Sequence, residues 1–169
     1  MNIRGQFWLF IVSLVLFMSA SVQGQEMSGQ SAGRNVGEMK FVTIPPLPTC
    51  TQGSVQSGDP SNGPSIIFAK MSTGCSIPWH WHTPGEHLMI VSGVAHVEMK
   101  DSKPLTIRAG GFALMPSHHI HQFHCDLTCL FYVYSDAAFD MHYVSEEGTE
   151  ISPAVALKAV KETVAAEMK

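Results

Sequence analysis

The sequence predicts an all-β sandwich or barrel followed by a C-terminal helix. Three observations predict it. Nine short strand-like runs lie between residues 65 and 144, separated by Gly, Pro or Asp. Beyond residue 151 the apolar period changes to three and four residues. All nine histidines fall between His80 and His142, inside the stretch that reads as strands.

The elements follow in chain order. Arg4 is the only charge in the first 25 residues, Phe7 to Met18 is apolar except for Ser13, and small residues follow to Gly24. A positive start, a short apolar run and a small-residue zone are the layout of a secretory signal peptide. We expect residues 1–24 to be such a signal, cleaved after Gly24, and the mature protein to be periplasmic or secreted. The apolar run is shorter than the ~20 residues a membrane-spanning helix needs, so no stable membrane anchor is expected after cleavage. Residues 25–40 are rich in Gly, Ser and Gln and read as a flexible linker. Phe41-Val42-Thr43-Ile44 is a short strand stopped by prolines, and Gln52–Ser65 reads as turn material around Gly58-Asp59-Pro60. The β domain is expected over residues 41–145. In residues 146–169, Ser152-Pro153 supplies an N-cap and a proline at the first helical position. Leu157, Val160, Val164 and Met168 then recur on one helical face.

Composition narrows the function classes. With 14% charged residues, 45% hydrophobic residues and a net charge of −4, the chain is an ordered globular protein. Ten Lys+Arg without a basic cluster exclude a nucleic-acid surface. Lys70 and Arg108 are the cations nearest the histidine motifs, and both are expected in solvent. A small neutral or aromatic ligand is therefore favoured over an anionic one. Met89, Met99, Met115 and Phe112 are expected to fill the barrel.

The chemistry concentrates in two segments. In the first, Gly74 is followed by His80, His82, Glu86 and Gly93. Side chains two apart on a strand share a face, so His80 and His82 point the same way. In the second, Gly110 is followed by Pro116, His118, His119 and His121. Imidazole nitrogens and a carboxylate are transition-metal ligands. These two patterns, in this order and spacing, resemble the signature motifs of the cupin superfamily. The second departs from the family pattern at His118, where glycine is usual, and at Cys125, where asparagine is usual.

The resemblance implies an all-β, cupin-type jelly-roll β-barrel with a C-terminal helix. It implies one divalent transition metal (Fe, Mn, Ni, Cu or Zn) held by His80, His82, Glu86 and His121. Cupins are often dimers, so it also implies a homodimer. The expected function is that of an exported metal-binding cupin acting on a small organic molecule as a dioxygenase or isomerase. A non-catalytic module that binds or senses a small ligand or metal is the alternative. His118 or His119 is expected to assist as a hydrogen-bond donor or acid/base group.

Export permits disulfides. The four cysteines allow three pairings. A turn at Asp126-Leu127-Thr128 would set Cys125 against Cys129 and leave Cys50 for Cys75. A Cys/His zinc site is the competing reading, disfavoured by the absence of a CxxC spacing.

Overall fold

A computed structural model describes residues 31–158 of the 169. The expected signal segment and residues 159–169 of the expected helix lie outside the described residues. Eleven strands follow one another: β1 (Val42–Thr43), β2 (Thr51–Gly58), β3 (Ser65–Met71), β4 (Cys75–Trp81), β5 (Glu86–Ser92), β6 (Val94–Met99), β7 (Leu105–Arg108), β8 (Phe112–Met115), β9 (His121–Cys125), β10 (Cys129–Ser135) and β11 (His142–Tyr143). They form two antiparallel sheets, ordered β1-β2-β3-β10-β5-β8 and β11-β4-β9-β6-β7. This is a jelly roll, as expected. The start of the tail is helical over 153–158. There the Val155 N–H donates to Ser152 Oγ at 3.4 Å, and Ala156 is buried.

Alternation builds the interior. On β5, Leu88 and Ile90 are buried; on β9, His121, Phe123 and Cys125; on β10, Cys129, Phe131 and Val133. Each fully buried aliphatic or aromatic side chain contributes about 1.5–3 kcal/mol before entropy is counted. Met115 is buried and Met99 packs against the core, as expected. Met89 and Phe112 are not interior: they are 38% and 57% exposed, facing each other across the β5–β8 pair. The same alternation that buries Leu88 and Ala113 turns their neighbours outward.

Two features depart from the sequence reading. Residues 51–58 form the eight-residue strand β2 rather than turn material. Its composition is a poor strand former, but pairing with β3 and contact with Ile44 override propensity. A Cβ on Gly53 would lie 2.4 Å from Ile44 Cδ1, so a larger residue would have to push the end of the Ile44 side chain aside. The expected turn survives as the β2–β3 connection, where Asp59 Oδ1 accepts from the Ser61 N–H at 2.9 Å. In the segment expected as linker, Val36–Glu38 forms a 3-10 turn with no buried residue.

Two disulfides tie the fold, Cys50–Cys75 and Cys125–Cys129, in the pairing the turn at residues 126–128 suggested. The first joins the N-terminal segment to β4 across 25 residues, a loop whose closure is worth about 3.5 kcal/mol. The second closes the β9–β10 turn. Cys125 therefore supplies no free thiol to the interior.

Candidate metal centre

The centre lies between the sheets. β5 of the six-stranded sheet begins with Glu86, and β9 of the facing sheet begins with His121. β4 carries His80, directly across from His121, and His82 follows just beyond its end. His80, His82, Glu86 and His121 are all buried, and one ligand atom from each falls within 4.8 Å of the others. The structure thus brings together all four residues nominated by the sequence. These four could hold a metal ion.

A bulge makes this possible. Strict alternation along β4 would place Cys75 and Ile77 on one face and His80 and His82 on the other. All four are buried. The register against β9 shifts between Ile77 and His80, and the extra residue inverts the phase. Pro78, which has no N–H to give a ladder, sits in the irregularity. Its carbonyl accepts from His80 Nδ1 at 2.6 Å.

The other two imidazoles are held in the same way. His82 Nδ1 donates to the Asp140 carbonyl at 2.5 Å, and His121 Nδ1 to the His119 carbonyl at 2.8 Å. A carbonyl only accepts, so each ring carries its proton on Nδ1. Each Nε2 then presents a lone pair. His121 Nε2 lies 3.1 Å and His82 Nε2 3.6 Å from Glu86 Oε2. His82 Nε2 is buried with no hydrogen-bond partner, the single such side-chain atom among the described residues.

The charges agree with that geometry. Burial alone would raise the Glu86 carboxyl, but hydrogen bonding and positive charge from His121 and His82, where these rings carry a proton on Nε2 in place of a metal ion, outweigh burial and hold it well below the usual carboxylate range. Burial, then the neighbouring His121 and His82, pull His80 well below an ordinary histidine. Anionic carboxylate and neutral imidazole are the forms that ligate metals. Lone pairs and an anion converging in a buried space call for a cation between them. The donor set therefore fits a divalent transition ion.

The surroundings fix the rings. The Phe139 ring packs on His82 at 4.2 Å between centroids. Thr83 donates its N–H to Asp140 Oδ1 at 2.7 Å and its hydroxyl to Oδ2 at 2.5 Å, securing the loop whose carbonyl holds His82. Tyr143, near His80, donates to the Pro46 carbonyl at 3.0 Å, and burial raises it to about 12. Sequence reasoning missed Pro78, Phe139 and Asp140; of these only Pro78, a proline inside a strand, gives a local signal.

Beside the four residues is a cavity of about 60 Å³, walled mainly by Ile44, Ile67, Ile77, Phe131 and Val133, with Thr51 and Gln52 as further polar lining. Lys70 and Arg108 are exposed and line no part of it, as expected. His118 and His119 do not reach it with their rings. His119 contributes its carbonyl to His121, while its ring donates to the Lys100 carbonyl at 3.0 Å. His118 takes the left-handed conformation, φ 59°, that glycine would adopt more readily. Its N–H donates to the His82 carbonyl at 2.8 Å, and its ring stacks on Trp81. Trp79 and Trp81 are half-buried and point away from the centre.

Comparison with known proteins agrees with this architecture. The family model described as Cupin domain matches residues 67–133. An RmlC-like cupin from Ralstonia eutropha JMP134 superposes with TM-score 0.57 at 14% identity, covering 81% of this chain and 88% of that one. An RmlC-like cupin from Shewanella frigidimarina NCIMB 400 gives 0.54 at 14% identity, covering 70% and 96%. A structure of the DMSP lyases RdDddP and RnDddQII gives 0.54 at 17% identity, covering 64% and 63%. A search of curated protein sequences found no match. Identities this low speak to fold and leave the reaction to the site. The two sheets and these structural relatives show the cupin jelly-roll fold, and the Cupin domain match covers its stretch from residue 67 to residue 133.

Proposed function

We propose that the protein is an exported cupin that holds one divalent transition metal through His80, His82, Glu86 and His121 and acts with it on a small, uncharged organic molecule. One observation carries this reading: three imidazoles, each fixed through Nδ1 by a backbone carbonyl, and one buried carboxylate bring a ligand atom apiece within 4.8 Å of one another. A bound ion of this class supplies Lewis-acid chemistry or a place for dioxygen, so oxidation and isomerisation are the reaction types we favour.

The chain's own residues set the substrate. The cavity has room for about four water-sized bodies, which limits the ligand to a few non-hydrogen atoms. Its walls are mostly aliphatic and aromatic and carry no Lys or Arg, so an anionic substrate would lack a counter-charge. Thr51 and Gln52 offer hydrogen bonds to a polar end. Phe139 and the aliphatic wall keep bulk water from the Glu86 side. Export rests on the sequence of residues 1–24.

A second reading has an observation of its own. Among the described residues, no titratable group besides His80, His82 and Glu86 lines the cavity, so these supply no acid or base separate from the metal ligands there. That favours a binding or sensing module, for which a ligand would bind tightly without turnover.

The test is elemental analysis of the mature, untagged protein beside the His80→Ala/His121→Ala variant. We expect one more equivalent of transition metal in the wild type than in the variant. Iron, manganese, nickel or copper in that difference leads to an oxygen-uptake screen with small neutral substrates. Equal metal content in the two proteins refutes the centre.

A further inference from the structure

The outer face of the β11-β4-β9-β6-β7 sheet carries a second set of histidines. Register places Ser76 on β4 across from His124 on β9, His124 across from His96 on β6, and His96 across from Thr106 on β7. Their strand neighbours Ile77, Phe123, Val97 and Ile107 are buried, so this row faces outward. It lines a cleft of about 390 Å³.

Asp126 meets both histidines of the row. It lies in the turn closed by the Cys125–Cys129 disulfide, which anchors the turn on both sides. Its two oxygens face the two rings: His96 Nε2 is 2.8 Å from Oδ2, and His124 Nε2 is 3.0 Å from Oδ1. The other nitrogen of each ring meets a hydroxyl. His124 Nδ1 is 2.7 Å from Ser76 Oγ, and His96 Nδ1 is 3.2 Å from Thr106 Oγ1.

We infer that His96, His124 and Asp126 form a second site for a divalent ion of the zinc or copper kind, on the surface and separate from the interior centre. The hydroxyls are what make it workable. Without metal, each Nε2–H donates to Asp126 and each hydroxyl donates to Nδ1. A hydroxyl also accepts. Each ring can therefore move its proton to Nδ1, donate there to Ser76 or Thr106, and present its Nε2 lone pair to an ion. The ring keeps one proton and one hydroxyl partner in both states. Two imidazoles and a carboxylate then make a three-ligand set with a position left for water. The His96, His124 and Asp126 side chains are 34%, 41% and 60% exposed, so their ends are free to close on the ion without disturbing the core.

The experiment titrates the metal-free full chain with zinc against a chromophoric chelator, comparing wild type with His96→Gln/His124→Gln. The wild type should bind one equivalent more. Asp126→Asn should weaken that equivalent by about tenfold, and His80→Ala/His121→Ala should retain it. Should the interior centre hold no metal, the wild type still exceeds the outer variant by one, so the two readings fail independently. Equal uptake by wild type and the outer variant overturns the site. In the wild type itself, zinc should shift the ring resonances of His96 and His124. A second equivalent that shifts only His118 or His142 overturns it without recourse to any variant.

Discussion

β9 carries histidines on both of its faces, and they differ in how their protons are held. His121 faces inward, with Nδ1 bound to a backbone carbonyl and Nε2 toward a buried carboxylate. His124 faces outward, with Nδ1 at a hydroxyl and Nε2 toward an exposed carboxylate. A carbonyl permits one tautomer; a hydroxyl permits both. The interior set is therefore organised for a ligand before it arrives, and its polar atoms are poorly satisfied without one. The outer set is satisfied either way. The lesson is that the partner of the remote ring nitrogen, rather than the count of histidines, separates a preformed centre from an adaptable one.

Experiments can break that contrast, beginning with the largest effect. His82→Ala removes an interior ligand and should weaken metal binding by at least ~100-fold, read by chelator competition at constant folded content. Phe139→Ala keeps every ligand but frees the His82 ring it packs against. We expect a loss of about tenfold in the same assay, and no loss would show that the carbonyl alone fixes the ring.

Stability should divide along the same line. His121→Gln leaves the part-buried His119 carbonyl without its imidazole donor and should cost about 2 kcal/mol in urea denaturation of the metal-free protein. His124→Gln replaces an exposed side chain and should change stability by less than about 0.5 kcal/mol. Similar costs for the two would refute the distinction.

The smallest effect concerns His142, whose ring lies flat on Trp81 at 3.9 Å between centroids. Burial would lower its pKa, but Glu150 and Asp140 outweigh that and raise it above 6.5. A raised histidine stabilises fully below its unfolded value, and the contribution fades as pH climbs through the folded value. The melting temperature should therefore fall by up to about 2 °C from pH 6 to pH 8 more in wild type than in His142→Gln. Loss of the stacked imidazolium should raise tryptophan fluorescence over the same interval, and Trp81→Phe should abolish that rise.

Local sequence carried much of the frame. β3, β6, β7, β8 and β9 fall on the runs that alternation and breakers mark out, because side-chain period and turn chemistry are properties of a few consecutive residues. The four interior residues were implied by the resemblance of two short motifs to the cupin signatures, and they meet in space. The tertiary structure decided what depends on partners. β2 exists because β3 and Ile44 accept its glycine and serines. His80 and His82 turn inward together with Cys75 and Ile77 because a bulge at Pro78 inverts the phase, which no strict alternation foretells. Met89 and Phe112 face out because of the same pleat that buries their neighbours. The outer row of Ser76, His124, His96 and Thr106 was not legible at all, since its members are up to 48 residues apart and only strand register aligns them. Periodicity is written along the chain, whereas register and hydrogen-bond partners are set by segments that meet only when the sheets assemble.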